Sequence, residues 1–174
     1  MRQNYTKWLN YVKNVKFIFL FYLKIHIIIN PYYKMMTDLI TFFEKIPKTK
    51  RDIVFFDIDD TLLRPYENNK PVKPVLDFYN YLVENGYNIA IITARLYTEE
   101  NLNYTLSDLK SVGIENNYKY LFLRNINEFN TKEYKKNARK QVVDDGYIPL
   151  MSLGDMYWDM GEYGGIGILV LPDN

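Results

Sequence analysis

Residues 53–63 read IVFFDIDDTLL. The first part, Ile53 to Phe56, is an unbroken β-branched and aromatic run, the composition of a strand covered on both faces in a parallel sheet. The run ends on Asp57, and Asp59 and Asp60 follow within three residues. Outward from this stretch the same grammar recurs. Residues 88–93 (NIAIIT), 119–123 (KYLFL), 148–153 and 167–171 (GILVL) are further short apolar runs. Helical patterns separate them. Residues 74–84 carry Val75, Phe78, Leu82 and Val83 before Gly86, and 98–112 carry Leu102, Leu106 and Leu109 before Gly113. Asn130 to Asp145 is a long polar helix with a capping box expected between Asn130 and Glu133. A further short helix is expected at 38–45, closed by Pro47. Strands alternating with helices at this spacing predict an α/β fold: a doubly wound, Rossmann-like parallel five-stranded sheet with helices on both faces.

Composition narrows the chemistry. The chain has 174 residues, 48% hydrophobic and 25% charged, enough for one ordinary domain with a real core. It has no cysteine, which excludes disulfides, thiolate metal sites and cysteine nucleophiles. Its one histidine, His26, excludes His-based triads and His-cluster metal sites. Chemistry must run on Asp, Glu, Lys, Ser, Thr or Tyr, and a hard, oxygen-ligated ion such as Mg²⁺ is the natural helper.

In such sheets reactive groups gather at the carboxyl ends of the strands. The first strand exits through Asp57-Ile58-Asp59-Asp60-Thr61, the second through Thr93-Ala94-Arg95, and the fourth through Gly154-Asp155 and on to Asp159. The helix before the fourth strand brings Lys135 and Lys136, with Arg139 one turn on. Positions i and i+2 of an extended segment point the same way, so Asp57 and Asp59 are expected to face a common site. Clustered carboxylates repel unless a cation holds them, and Mg²⁺ fits. Asp57 could then stay ionised and attack an electrophile while Asp59 carries a proton as general acid. Asp60 reads as a turn cap. Arg95 is open between a solvated charge and a substrate contact.

These residues resemble a family. DxDxTLL after an apolar strand, a Thr ending the next strand, a helix lysine and then GDxxxD are similar to the haloacid dehalogenase superfamily of phosphotransferases. Residues 134–159 (YKKNARKQVVDDGYIPLMSLGDMYWD), with Leu171-Pro172-Asp173 near the end, look like its plant vegetative-storage and bacterial acid phosphatase branch. The resemblance covers about residues 37–174. It implies a Mg²⁺-dependent phosphomonoesterase in which Asp57 forms an aspartyl-phosphate and Asp59 serves as general acid and then base. It further implies that Thr93 and the Ala94 N–H bind phosphoryl oxygens while Lys135 neutralises their charge. Lys135 is preferred to Lys132 and Lys136 because it follows Tyr134. The metal would be held by Asp57, the backbone carbonyl of Asp59, Asp155 and Asp159.

Residues 64–73 are a short connection, and 94–131 is filled by one helix and one strand, so no large cap domain is expected. An open crevice suits a phosphorylated small molecule or an exposed phosphate on a macromolecule. A covering oligomer partner is also left open. Two other classes remain as alternatives: a non-catalytic binding or storage protein on the same fold, and a polynucleotide-end phosphatase. A phosphorylatable receiver domain is disfavoured, because its acceptor should end the third strand, which instead leads into Leu123-Arg124-Asn125.

The near-neutral total charge of +1 hides a split. Residues 1–36 hold six basic and no acidic side chains, whereas 37–174 hold 16 basic and 21 acidic ones. The acidic catalytic part shows no basic footprint for nucleic acid. A boundary is therefore expected near Met35–Thr37, with a basic apolar segment before it and the catalytic domain, 37–174, after it. Residues 15–29 (VKFIFLFYLKIHIII) leave three readings open: an upstream extension of a cytoplasmic protein, a membrane or secretory anchor, or an additional packed helix.

Overall fold

The computed structural model describes residues 31–171, and the chain divides into two compact units after Lys48. In the first unit, helix α1 spans Pro31–Phe43. It starts earlier than the expected 38–45 because Pro31, at its first position, is pre-set for helix and needs no N–H partner there. Met36, Leu39, Phe42 and Phe43 then continue a spacing of three and four residues. The helix runs through Met36–Thr37, so the change in charge there is compositional and ends no element. The apolar stretch 15–29, His26 and Pro172–Asp173 lie outside the described residues. Among the described residues no helix is long and apolar enough to cross a membrane.

The second unit begins at Thr49. Its strands are β1 (Asp52–Phe56), β2 (Leu63–Arg64), β3 (Lys70–Pro71), β4 (Asn88–Leu96), β5 (Tyr120–Arg124), β6 (Ile148–Gly154) and β7 (Ile166–Leu169). Its helices are α2 (Lys73–Glu84), α3 (Glu99–Ser111) and α4 (Thr131–Asp144). Five strands form one parallel sheet in the order β5-β4-β1-β6-β7. All five are the runs read from the sequence. The connection between β1 and α2 is more structured than a plain loop: β2 and β3 pair antiparallel, with a 3-10 turn at Pro65–Glu67 between them.

Strand β1 is buried along its whole length because both of its faces are covered. Ile53 and Phe55 join Ala90 and Ile92 of β4 in a cluster with Tyr134, Ala138 and Val142 of α4. On the opposite face, the Phe56 ring lies 6.3 Å from Phe78 and 5.3 Å from Tyr79, both on α2. The alternation of β1 side chains thus sends 53 and 55 to one helix layer and 56 to the other.

The order of strands reverses at β1, whose neighbours are β4 on one side and β6 on the other. In an open α/β sheet this switch point, beyond the carboxyl ends of the strands, is where ligands bind. The register between β4 and β5 also shifts between Thr93 and Leu96, leaving Ala94 and Arg95 as extra residues on β4. Such an irregularity re-aims side chains at the rim of a sheet.

Candidate active site

Asp57 is the first residue past β1 and keeps the direction of Ile53 and Phe55, toward α4. There its Oδ1 accepts a hydrogen bond of 2.7 Å from the Lys135 Nζ. The same ammonium donates to the Asp159 Oδ1. All three side chains are buried: Lys135 is 2% exposed, Asp57 6% and Asp159 5%. Asp155, half-buried at the exit of β6, completes a set of three carboxylates whose oxygens lie within 4.8 Å of one another.

Two features set Asp159. Gly154 lacks a side chain where one would collide with the Asp159 Cβ and carboxylate, so a glycine before Asp155 is a packing requirement. The Met156 N–H then donates to the Asp159 Oδ2 at 2.9 Å. Arg139, one turn beyond Lys135 on the buried face of α4, fastens the whole loop. Its guanidinium donates to the carbonyls of Glu162 (3.0 Å), Trp158 (3.2 Å), Asp159 (3.0 Å) and Met160 (3.3 Å). The sequence placed Arg139 near the site without a role. The signal was available in its i+4 spacing from Lys135.

Burial sets the electrostatics. It pushes the Asp57 carboxyl up to about 7 despite the opposing pull of Lys135, and Asp159 adds to the rise. Burial, with the nearby Asp159 charge, likewise pushes Asp155 up to about 6. For Lys135 burial alone would favour the neutral amine, but the Asp57 and Asp159 carboxylates outweigh it and raise its pKa. A carboxyl raised in the folded state holds protons that the unfolded chain has released. The metal-free protein should therefore lose stability as pH rises from about 4 through about 7. Urea denaturation in EDTA at pH ~5 and ~7.5 checks this. The midpoint should be lower at the higher pH, and the difference should shrink in Asp57→Asn; an unchanged difference in that variant would contradict the assignment.

Asp59 departs from the i and i+2 expectation. That rule holds for extended chain, but β1 ends at Phe56 and the backbone turns, with Asp60 at φ 55° and Leu62 N–H donating to the Ile58 carbonyl at 2.8 Å. The Asp59 carboxylate therefore pairs with Arg95 at 3.0 Å (Nε) and 2.6 Å (Nη2), outside the three-carboxylate set. It is still close enough for its charge to contribute to the Asp57 rise. Arg95 is neither solvated nor free: its Nη1 also donates to Asp108 at 2.7 Å and to Thr105 at 3.3 Å. Asp60 takes the turn position expected of it.

Thr93 is fully buried at the carboxyl end of β4, and its hydroxyl accepts the Arg95 N–H at 3.2 Å. Neither Thr93 nor Ala94 is hydrogen-bonded to Asp57 among the described residues. Of the three candidate lysines, Lys135 alone enters the carboxylate cluster; Lys136 pairs with Glu133 at the surface (2.8 Å), and Lys132 is exposed. That pairing also explains the helix start. The Asn130 side chain accepts the Glu133 N–H at 3.1 Å, giving the forward half of the expected capping box, while the Glu133 carboxylate turns to Lys136.

The donor set suits a hard divalent cation. Three carboxylates and one ammonium leave a local charge of −2, and every candidate ligand is oxygen. A buried cluster of this sign is costly unless a cation compensates it.

A buried lysine among aspartates at the switch point of a five-stranded parallel sheet is the arrangement of a phosphotransferase of the haloacid dehalogenase superfamily. Within that class the chain belongs to subfamily IIIB, the acid phosphatases, whose family model matches residues 66–174, more than half of the chain. It is thus a phosphatase, a hydrolase of phosphate monoesters. The match begins at Tyr66, past the Asp57–Leu63 stretch. Among curated proteins, none matches the chain significantly.

Proposed function

We propose that the chain is a Mg²⁺-dependent phosphomonoesterase with Asp57 as nucleophile and Asp59 as general acid and base. The observation that carries this reading is the buried Lys135 bridge between Asp57 and Asp159 beside Asp155. Asp57 Oδ1 is engaged by Lys135, which leaves Oδ2 to attack phosphorus. As the new P–O bond forms, the bond from phosphorus to the leaving oxygen breaks, and Asp59 delivers the proton that turns the leaving group into an alcohol. In the second half Asp59 takes a proton from water. That water attacks the aspartyl-phosphate, releasing inorganic phosphate and regenerating the Asp57 carboxylate.

Lys135 stabilises negative charge on the phosphoryl oxygens, and the Thr93 hydroxyl and Ala94 N–H donate to them. Mg²⁺, held by Asp57, Asp155, Asp159 and the backbone carbonyl of Asp59, would supply further charge stabilisation in a site that is otherwise net negative.

Hydrolysis of p-nitrophenyl phosphate tests the metal directly. Activity should disappear in EDTA and return with excess Mg²⁺, and Mg²⁺ should raise Tm more at pH ~7.5 than at pH ~5, where protons compete for the ligand carboxylates. Undiminished turnover in EDTA would overturn the metal assignment.

A further inference from the structure

Arg95 belongs to two places at once. One edge of its guanidinium holds the Asp59 carboxylate, its Nη1 donates to Asp108 and Thr105, and the residue also lines a pocket of about 330 Å³ with Leu96, Asn101, Tyr104 and Thr105. We propose that this pocket on α3 receives the leaving group of the substrate, and that it selects an uncharged leaving group with a flat ring.

The proposal rests on the phosphatase reading, in which Asp59 protonates the leaving oxygen. The atom bonded to that oxygen must then lie on the Asp59 side of the phosphorus. Arg95, in contact with the Asp59 carboxylate, forms the near wall of the pocket, so a leaving group extending past Asp59 enters it. The volume is at the lower end of the range for small-molecule sites, which suits one ring system with modest substituents.

The lining states the chemistry. Tyr104 is 60% exposed, so a large part of its ring is available to a flat partner. Leu96 adds an apolar wall. The Asn101 amide nitrogen is spent on the Leu96 carbonyl at 3.0 Å, while no hydrogen bond engages its amide oxygen among the described residues. That oxygen can accept from a ring N–H or hydroxyl. The charge on the wall is balanced: the Arg95 guanidinium contacts Asp59 and Asp108 at 2.6 and 2.7 Å, and with Asp59 carrying the proton that it delivers, the Arg95 and Asp108 charges cancel. A second anionic group on the substrate would find no free cation among the lining residues, because the Arg95 charge is spent on Asp108. Asp108 is held in place by Asn69 of the β2–β3 turn at 2.6 Å, so the wall is braced from two sides.

The test compares benzyl phosphate with cyclohexylmethyl phosphate, which match in size and have similar leaving alcohols but differ in flatness. With the full chain and Mg²⁺, the wild type should favour benzyl in kcat/KM. Tyr104→Ala should lower the benzyl-to-cyclohexylmethyl ratio about 3- to 10-fold, chiefly through KM, and Tyr104→Phe should keep the wild-type ratio. A 4-carboxybenzyl phosphate should be a poorer substrate than benzyl phosphate, and Asp108→Asn should narrow that gap.

An unchanged ratio in Tyr104→Ala, with both esters still hydrolysed, would overturn the pocket assignment while leaving the phosphatase reading intact. Failure of the wild type to hydrolyse either ester, or p-nitrophenyl phosphate, would overturn both.

Discussion

Asp57→Asn should lower phosphomonoester turnover by about 10⁴-fold or more while leaving the fold intact. The amide has nearly the volume of the carboxyl and can still accept from Lys135, so packing at the end of β1 is preserved. It cannot form an acyl-phosphate by attack on phosphorus, and a neutral group at this position removes one of the three carboxylates that could hold a metal. Stability should move the other way. The carboxyl is pushed up to about 7 by burial, so at neutral pH its charge is costly in the metal-free protein. Removing it takes the cluster from −2 to −1. Kinetics on p-nitrophenyl phosphate alongside thermal melting in EDTA therefore give opposite signs: activity lost, Tm equal or higher. A variant that retained turnover would remove Asp57 from the chemistry, and one that failed to fold would make its role structural.

Arg139→Met should be the most damaging change away from the reacting atoms. Methionine replaces the apolar stem of a side chain that is 2% exposed, but supplies none of the donors now spent on four carbonyls between Trp158 and Glu162. Those carbonyls belong to the loop that carries Asp159. The expected cost is about 3 kcal/mol or more, corresponding to a fall in Tm of about 10 °C. Asp159 would also lose its fixed position, and the Mg²⁺ concentration for half-maximal activity should rise about 10- to 100-fold, with turnover recovering at high Mg²⁺. Arg139→Lys should not restore it, because a single ammonium cannot span that arc of carbonyls. Unaltered Mg²⁺ dependence would make Arg139 a packing residue only.

The five sheet strands were legible because each is short, apolar and flanked by helical spacing, and a strand covered on both faces has few other ways to be written. The β2–β3 pair was not, because two residues on each side carry no periodicity. The helix face that delivers Lys135 was only half legible. Tyr134, Lys135, Ala138, Arg139 and Val142 form one buried stripe, yet two of the five are cations, and a search for apolar spacing passes over them. Lys135 was reached through the resemblance carried by Tyr134-Lys135. The Asp59–Arg95–Asp108 arrangement was hidden for a different reason: the period-2 argument assumes that the strand continues, and the chain turns immediately after Asp57. Asp108, on α3, has no local mark that distinguishes it from an ordinary solvated carboxylate. Asp144 and Asp145, by contrast, sit at the surface with partners, Lys140 at 2.5 Å and the Tyr120 hydroxyl at 2.8 Å, in contacts worth little.

The central claim is that the phosphoryl group passes through Asp57. The most direct measurement is rapid acid quenching of the full chain during turnover of a phosphate monoester, followed by peptide mass spectrometry. One phosphoryl group should appear on the peptide containing Asp57 within the first turnover and disappear as substrate is exhausted, and Asp57→Asn should show none. Sustained hydrolysis with no phosphate on that peptide at any quench time, or with phosphate on another residue, would contradict the account.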